Sequence, residues 1–592
     1  MKIKFNWNLS NILNNSDFEK KYQEVDNELK KIDDFWKLLD PKMSERDFKK
    51  IILFNEDLGE EISKLNYLPH LILATDQKNH EALMMETKAN DLTLKYSEKI
   101  RKINHWIKGK NIDNKEVLDN ENAKRLFESV VDLKYVLEHS RKAEKYTLQE
   151  NEENIINNKD INGIDVIKQL RTIIETDFEY EFKIKGKKTK IIKNQSELMS
   201  LVHDPKEEVR KAAYLALFKK HKENIEKFFL IYKAVVKDWD YEAKLKNFES
   251  PISVRNFYND IPDETIKILL EVCSQNKEIF QRFFRFKAKQ LKVRKLNRFD
   301  IYAPIKTKEK EIELEKAKQK TLEVFSKFSN KFFKSAKRII DENHIDYFPK
   351  IGKRSGAFCA TVGPKITPYV MLNYTGKIRD VFTLAHELGH GIHSISAEKH
   401  LPSAQQSGLP LAETASTLAE MILFENIFEN ETDKNIKKSM LMDKMADSFA
   451  SILRQNYFVL FEIKAHELIS KGTTPEELSN MYLELLREQF GTSVEIDPIF
   501  KYEWSYIPHI VDTPFYCYAY SFGELLSYAL FARYKKEGKK FIEKIEKILE
   551  IGGSKNPVEI LSELNIDIND KCFWQGSFEI IKDWQDKLDK IS

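Results

Sequence analysis

The sequence feature that most constrains the fold is the run His-Glu-x-x-His at residues 386–390. His386 and His390 are four residues apart, so on an α-helix they lie on one face and can hold one metal ion. Glu387 lies one position further round the helix, near such a metal without ligating it. Two imidazole ligands with an adjacent carboxylate are typical of zinc hydrolases, in which the carboxylate acts as general base. The pattern therefore predicts a helix here and a third ligand from elsewhere in the chain.

The residues around this motif also indicate a helix. Asp380 lies where it could cap the helix or occupy its first turn, and the helix dipole favours a negative charge there. Because the histidines lie off the apolar stripe, one face can pack while another faces a cleft. His393, one turn past His390, is interpreted as a hydrogen-bonded structural histidine. The apolar residues that recur at three and four positions are Val381, Leu384, Leu388, Ile392 and Ile395.

The third ligand is expected among the acidic residues that follow the motif. A histidine six residues after His390 would indicate another zinc pattern, but Ser396 occupies that position. Glu398 is too close in sequence to fold back comfortably. The acidic candidates are Glu398, Glu413, Glu420 and Glu425.

A second amphipathic helix is predicted over Leu411–Phe424. We interpret Glu413 as the third ligand of one Zn²⁺ ion per chain. Glu420 is interpreted as a carboxylate behind the ligands, with a surface or structural role as the alternative. The polar face that predicts this arrangement carries Glu413, Ser416, Thr417 and Glu420.

Composition argues against several classes of function. Lys and Arg number 97 against 94 Asp and Glu, so no charge excess points to nucleic acid or a membrane. The first residues lack the apolar core of a signal peptide, and no run of about 18 apolar residues predicts a membrane span. Four scattered cysteines without Cys-x-x-Cys argue against a disulfide framework. A cytoplasmic protein is expected, with no nucleic-acid or membrane partner.

Hydrophobic periodicity predicts a largely helical chain. Residues 17–175 indicate successive amphipathic helices, except that the polar segment Asn151–Asn162 is predicted to be a loop. Phe178–Ile184 and Thr189–Ile191 predict a β-hairpin. Lys308–Asn343 is predicted to be one long charged helix.

Two short strands are predicted just before the motif helix, at Ser355–Thr361 and Pro368–Tyr374. An edge strand beside a zinc site can hydrogen-bond the backbone of an extended substrate. A hairpin that only braces the motif helix is the alternative.

Several segments, in order, resemble the oligoendopeptidase F branch of the thimet oligopeptidase family of zinc metallopeptidases. The resemblance is dense from about residue 195 to 580 and weaker before that. The segments that carry it are His386–His390 with Glu413–Thr417, Phe299–Pro304, Gly352–Cys359, Pro368–Tyr374, and Pro508–His509 through Phe515–Tyr520.

The resemblance implies a mainly α fold: a two-lobed helical shell with a deep substrate channel and a small β-sheet beside the motif helix. We predict an N-terminal helical lobe at 1–195 and a zinc metallopeptidase catalytic region at 196–592. The resemblance also implies a zinc-dependent endopeptidase whose partners are short unfolded peptides. The oligomeric state does not follow from the sequence.

A second stretch, Tyr506–Gly523, is unusually aromatic. Core packing is the common explanation for such aromatics. Hydrolysis of a peptide builds a tetrahedral oxyanion, which needs a donor besides the metal. The resemblance implies that His509 and Tyr520 face the zinc and supply it, with Tyr518 as another cleft tyrosine. Many members of the branch have His-Phe-Tyr here, whereas this chain has Val511 in place of the tyrosine.

Two alternatives remain open at this level. An exopeptidase, acting as a dipeptidyl carboxypeptidase or an aminopeptidase, would need a group that grips a chain end, and Arg354 is a candidate. A non-catalytic peptide-binding scaffold would have no chemical need for Glu387 beside three ligands, which argues against it.

Overall fold

A computed structural model of the chain describes residues 7–305 and 311–591. In these ranges the fold is mainly helical with three small sheets, as predicted. None of the helices in these ranges combines the length and the apolar character that a membrane span requires. The chain forms two compact units, each built from three segments, and each is described by itself.

The first unit comprises Met1–Glu150, Glu309–Asn430 and Leu530–Asp567. Its strands are Ile345–Asp346, Phe358–Ala360 and Tyr369–Met371. Its α-helices are Phe18–Glu28, Lys30–Leu38, Glu45–Thr75, His80–Ile107, Asn120–Glu128, Lys134–Lys142, Leu314–Phe328, Asn330–Asp341, Ile378–Ser396, Pro402–Gln405, Leu409–Ala412, Thr414–Asn430, Lys539–Ile551 and Pro557–Glu563.

The second unit comprises Asn151–Lys308, Glu431–Ala529 and Ile568–Ser592. Its strands are Tyr180–Phe182, Lys190–Ile192, Leu296–Asn297 and Val494–Glu495. Its α-helices are Ile164–Thr176, Gln195–Ser200, Glu207–Glu223, Ile225–Leu245, Pro251–Tyr258, Asp263–Gln275, Lys277–Gln290, Lys434–Ser448, Arg454–Lys471, Pro475–Phe490, His509–Asp512 and Lys571–Ile591. The helices Glu150–Asn162 and Tyr518–Glu537 each contain a point where the chain passes between units.

The sheet of the first unit places one strand next to the motif. Tyr369–Met371 is central, pairing parallel with Ile345–Asp346 and antiparallel with Phe358–Ala360. Phe358–Ala360 is thus an edge strand among the described residues. Tyr369 and Met371 are buried in a core shared with the N-terminal helices, and the Trp7 ring meets the Tyr369 ring edge-on at 6.0 Å. This packing fixes the strand pair predicted from the sequence.

Two predictions of local structure are wrong. The region predicted as one long helix forms two, Leu314–Phe328 and Asn330–Asp341, and residues 308–310 lie outside the described ranges. Ser329 between them is extended, and its Oγ accepts from the backbone N–H groups of Lys331 and Phe332, which caps the second helix. The segment predicted as a loop forms the helix Glu150–Asn162, which buries none of its residues and so shows no apolar stripe.

The predicted hairpin is confirmed in the second unit. Tyr180–Phe182 pairs antiparallel with Lys190–Ile192, and Gly186 in the connection adopts a φ of +80°. Each compact unit combines distant segments, so packing does not divide the chain at a single point. The boundary at 195/196 concerns where the catalytic region begins and stays a prediction.

Candidate metal centre

The motif lies on the helix Ile378–Ser396, called the motif helix below. The predicted apolar stripe is buried at Val381, Leu384, Leu388 and Ile392. Asp380 lies in the first turn, and its carboxylate accepts from the backbone N–H groups of Thr375 and Lys377 at 2.7 and 3.1 Å. The helix start is thus held by the acidic residue that the sequence indicated.

Two glycines of the motif helix allow its neighbours to approach closely. A Cβ on Gly389 would lie 2.5 Å from Ser416 Cα and 2.6 Å from the Ala415 carbonyl oxygen. A Cβ on Gly391 would lie 2.4 Å from Ile339 Cδ1. Gly389 therefore lets the helix Thr414–Asn430 pack directly against the motif, which brings Glu413 to the histidines. Sequence analysis missed this role, although a glycine inside a strongly helical motif is a signal for it.

The structure brings His386, His390 and Glu413 together in the first unit. Their nearest ligand-type atoms lie within 4.8 Å of one another. Glu413 Oε2 is 3.4 Å from His386 Nε2 and 3.4 Å from His390 Nε2. Two ligand atoms each about 2.1 Å from a tetrahedral zinc ion are about 3.4 Å apart. Donor type and spacing therefore fit a zinc ion held by these three side chains.

Contacts behind the ligands orient them. Ser416 Oγ donates to Glu413 Oε2 at 2.9 Å. Glu420 Oε2 lies 3.4 Å from His386 Nδ1, the ring nitrogen that faces away from Glu413. A carboxylate at this nitrogen favours the tautomer that leaves Nε2 able to ligate a metal. The position of Glu420 agrees with its interpretation as a carboxylate behind the ligands.

The electrostatics of the cluster favour a cation. Burial by itself raises the pKa of Glu413, but the adjacent His386 and His390 outweigh it and hold that pKa well below its usual range. Burial by itself lowers the pKa of His386, whereas Glu413 and Glu420 raise it to about 10. The same negative field that favours a proton on His386 favours a metal ion at Nε2.

Glu387 is available as a base beside the ligands. Its side chain is 7% exposed, and burial raises its pKa while the nearby His386 and His390 oppose that rise. A carboxylate whose pKa is raised toward neutrality is a better proton acceptor than an ordinary surface glutamate. Glu387 therefore has the environment that a general base needs.

A cavity of about 500 Å³ opens beside this cluster in the first unit. The edge strand contributes Phe358 and Cys359 to its wall, and Tyr67 contributes from the N-terminal helices. No lysine or arginine occurs among the described residues that line it. The side chain of Arg354, the candidate for gripping a chain end, is exposed and does not line this cavity.

His393 differs from its expected role. It is 8% exposed and lines the cavity, and its Nε2 has no hydrogen-bond partner among the described residues. Burial, followed by the charge of His390, lowers the pKa of His393 to about 4, so it is neutral at physiological pH. The hydrogen bond expected for a structural histidine is not found at this nitrogen.

The second predicted stretch lies in the second unit. Tyr516 lies just before the helix that starts at Tyr518, and the ring centroids of Tyr516 and Tyr520 are 5.2 Å apart. The His509 ring lies 6.1 Å from that of Tyr516 and 6.0 Å from that of Tyr520. These three partly exposed rings form one group, called the His509 cluster below. Tyr516 was not singled out from the sequence.

Tyr518 points into the interior of the second unit. It is fully buried, and its hydroxyl accepts from Asn259 Nδ2 at 2.8 Å. This contact gives Tyr518 a packing role, and its predicted catalytic role stays a prediction. The predicted roles of His509 and Tyr520 likewise stay predictions.

The surroundings of His509 lower its pKa overall, which favours the neutral imidazole. Burial is the largest influence and lowers the pKa of His509, Asp512 raises it, and Arg454 and Arg171 lower it. A neutral imidazole can donate a hydrogen bond from one nitrogen while accepting at the other.

Comparisons with known proteins identify the family of the chain. A model of peptidase family M3 matches residues 200–580. The oligoendopeptidase F homolog of Borreliella burgdorferi is 28% identical over 563 residues, which cover 92% of this chain and 91% of that protein.

Two solved structures share the fold. A putative peptidase from Chlamydophila abortus has a TM-score of 0.87 at 21% identity, with 100% of this chain and 99% of that chain covered. The oligoendopeptidase-F of Enterococcus faecium has a TM-score of 0.71 at 21% identity, with 97% and 99% covered.

Proposed function

Because the chain belongs to peptidase family M3, we propose that it is a zinc-dependent endopeptidase that hydrolyses internal bonds of short unfolded peptides. The observation that carries the proposal is the convergence of His386, His390 and Glu413 with the buried base Glu387 on one cavity. Zinc, when bound, would lower the pKa of a water molecule and polarise the scissile carbonyl.

In the proposed mechanism, the residues of the chain move the proton and hold the substrate. Glu387 accepts a proton from the attacking water and delivers it to the leaving amine. The backbone edge of Phe358–Ala360 supports the binding of an extended peptide without reading its side chains, because main-chain groups are common to all residues.

The proposal includes catalytic roles for His509 and Tyr520. Each would donate a hydrogen bond to the oxyanion as the carbonyl carbon becomes tetrahedral. Both rings are partly exposed, and the lowered pKa of His509 favours a neutral imidazole, which can donate a hydrogen bond. We also propose that the protein is located in the cytoplasm.

Endopeptidase action is favoured over trimming of chain ends. The described cavity wall has no cationic side chain to hold a terminal carboxylate, and Arg354 does not line it. Membership of a peptidase family also argues against a scaffold that only binds peptides.

The test is cleavage of internally quenched peptides of increasing length, with both ends blocked, by wild type and Glu387→Gln. Internal cleavage of the short peptides is expected, with turnover about 10²- to 10⁴-fold lower in Glu387→Gln. Glu98→Gln is the matched control, because Glu98 is an exposed glutamate of the same unit.

Metal content and chain-end preference complete the test. Chelation should abolish cleavage and Zn²⁺ should restore it, with bound zinc retained in Glu387→Gln. Cleavage of unblocked peptides alone would identify an exopeptidase, and equal turnover by wild type and Glu387→Gln would contradict the proposed base.

A further inference from the structure

A buried charge network in the second unit has more hydrogen-bond donors than acceptors. Arg298 is 2% exposed, and its Nη2 donates to Glu503 Oε1 at 2.6 Å. Arg454 Nη2 donates to the same oxygen at 3.2 Å, and Arg454 Nη1 donates to the Tyr302 hydroxyl at 2.8 Å. Two guanidinium groups thus share one carboxylate, which leaves one positive charge uncompensated within this group.

Several polar atoms of this network have no hydrogen-bond partner among the described residues. They are Arg298 Nε and Nη1, Gln489 Nε2, Glu503 Oε2 and the Tyr482 hydroxyl, which can both donate and accept, all enclosed within the protein. Nε carries one hydrogen, whereas Nη1 and the amide nitrogen carry two each, so donors exceed acceptors here. Buried donors and charges without partners are costly, which indicates that something else accepts these hydrogen bonds.

Aromatic contacts do not meet this need. The Arg298 guanidinium carbon lies 4.8 Å from the centroid of the Phe500 ring. A cation–π contact uses the face of the guanidinium, whereas its N–H bonds lie in its plane and still require acceptors.

A small internal cavity lies at the same place. Arg298, Arg454, Gln489 and Glu503 all line a cavity of about 10 Å³, together with apolar side chains such as Phe458 and Leu486. A guest the size of one water molecule needs about 10–15 Å³. The cavity therefore excludes sulfate, phosphate and organic acids but accommodates one atom-sized guest.

We propose that this cavity binds one halide-sized monovalent anion, for which chloride is the chemical candidate. A monovalent anion balances the excess positive charge and only accepts hydrogen bonds, as the excess of N–H groups requires. A single water molecule would accept two hydrogen bonds and would leave the charge unbalanced.

The anion would join three segments of the second unit. Arg298 lies in the 3₁₀ turn Arg298–Asp300, and Arg454 begins a helix directly after the π-helical turn Phe449–Leu453. Glu503 lies in the 3₁₀ segment Pro498–Tyr506, which leads into the helix that starts with His509. Occupancy is therefore expected to stabilise the part of the second unit that carries His509.

The first test is crystallography of the whole protein with bromide in place of chloride. An anomalous bromide peak within hydrogen-bond distance of the Arg298 guanidinium is expected. A cavity that holds only water-like density at high bromide, without an anomalous peak, would overturn the proposal.

A charge-supplying variant provides the second test. Gln489→Glu keeps the side-chain shape and adds a permanent negative charge beside Arg298, so it should exclude bromide from the cavity. Gln77→Glu is the control, because Gln77 is exposed and belongs to the first unit.

Thermal unfolding gives a readout that does not depend on peptide cleavage. For wild type and Gln77→Glu, the melting temperature should rise in a saturable way as chloride replaces gluconate at constant ionic strength. Gln489→Glu should lose this dependence. Equal responses of Gln489→Glu and wild type would refute the site, and the bromide result on wild type decides the matter if the variant does not fold.

Discussion

A buried glutamate contributes to the metal region of the first unit, and another holds the turn next to the His509 cluster of the second unit. Their pKa values are shifted in opposite directions. Glu413 is held ionised by His386 and His390, which keep its pKa well below the usual range. Glu462 is 1% exposed in the second unit, and burial raises its pKa to about 8. Its Oε1 accepts from the backbone N–H of Phe515 at 2.7 Å, where φ is +56°.

The difference shows two ways to hold a polar site. In the first unit, opposite charges converge because spacing within one helix places two histidines on one face. In the second unit, a carboxylic acid with a raised pKa holds a turn, and the chain after that turn brings both Tyr516 and Tyr520 to His509. The first arrangement is readable from spacing, whereas the second depends on how distant segments pack.

Among substitutions in the second unit, Tyr520→Phe should lower catalytic activity the most. Loss of an oxyanion donor is expected to lower kcat about 10²- to 10³-fold with little change in KM. Tyr518→Phe should cost about 1–3 kcal/mol in unfolding free energy, because the buried Asn259 amide loses its acceptor, and its kcat tests the catalytic role predicted for Tyr518. Steady-state kinetics and urea unfolding of both variants separate these roles. Equal kcat losses would contradict the division between the two tyrosines.

Glu420→Gln tests the first unit in the same way. Replacing the carboxylate at His386 Nδ1 by a neutral amide should reduce zinc affinity about 10- to 100-fold, because the amide still accepts a hydrogen bond but increases the basicity of the imidazole less. Competition with a chromogenic chelator measures the affinity. A zinc affinity equal to that of wild type would show that Glu420 has only a surface or structural role.

Gly389→Ala tests whether close helix packing places Glu413. The added Cβ would clash with the backbone at Ala415 and Ser416, so a loss of about 1–3 kcal/mol in stability and weaker zinc binding are expected. The matched control is Gly576→Ala on the helix Lys571–Ile591, where a Cβ meets nothing within 4 Å. The control should be neutral or stabilising by up to about 1 kcal/mol. Similar outcomes for the two variants in urea unfolding would rule out the packing argument.

Glu462→Gln tests the buried acid through the pH dependence of stability. The folded protein keeps the Glu462 proton up to about pH 8, whereas the unfolded chain releases it near the model value of 4.5. The folded state therefore binds more protons between these values, so stability is fully present below the lower pKa and falls as the pH rises through the higher one.

The expected slope from this one group is at most about 1.4 kcal/mol per pH unit. Glu462→Gln keeps an oxygen that accepts from Phe515 and cannot titrate, so its stability should vary less with pH across this window. Urea unfolding at a series of pH values measures both slopes. Parallel curves for the variant and wild type would show that Glu462 is already ionised in the folded protein.

The candidate metal-binding residues of the first unit could be identified from helix periodicity, and their roles stay predictions. The His386 and His390 spacing, the apolar stripe and the polar face of Glu413 each follow from the period of one helix, and the structure brings these residues together. The interruption at Ser329 was missed because the pattern of charged residues continues across this position. A single serine, which caps the helix Asn330–Asp341, separates the two helices. The sequence also did not predict that His393 Nε2 lacks a hydrogen-bond partner among the described residues. Whether a buried atom finds a partner depends on the packing around it, which leaves no local sequence pattern.

The sequence by itself determined what repeats within one element: most of the helices, the spacing of His386 and His390, and the position of Glu387 beside them. Tertiary structure alone decided what depends on how elements meet. The close approach at Gly389 brings Glu413 to the histidines, the rings of Tyr516 and Tyr520 both meet that of His509, and Arg298 shares Glu503 with Arg454 across distant segments. Local spacing follows from backbone geometry, whereas these contacts arise from packing among residues that are far apart in the chain.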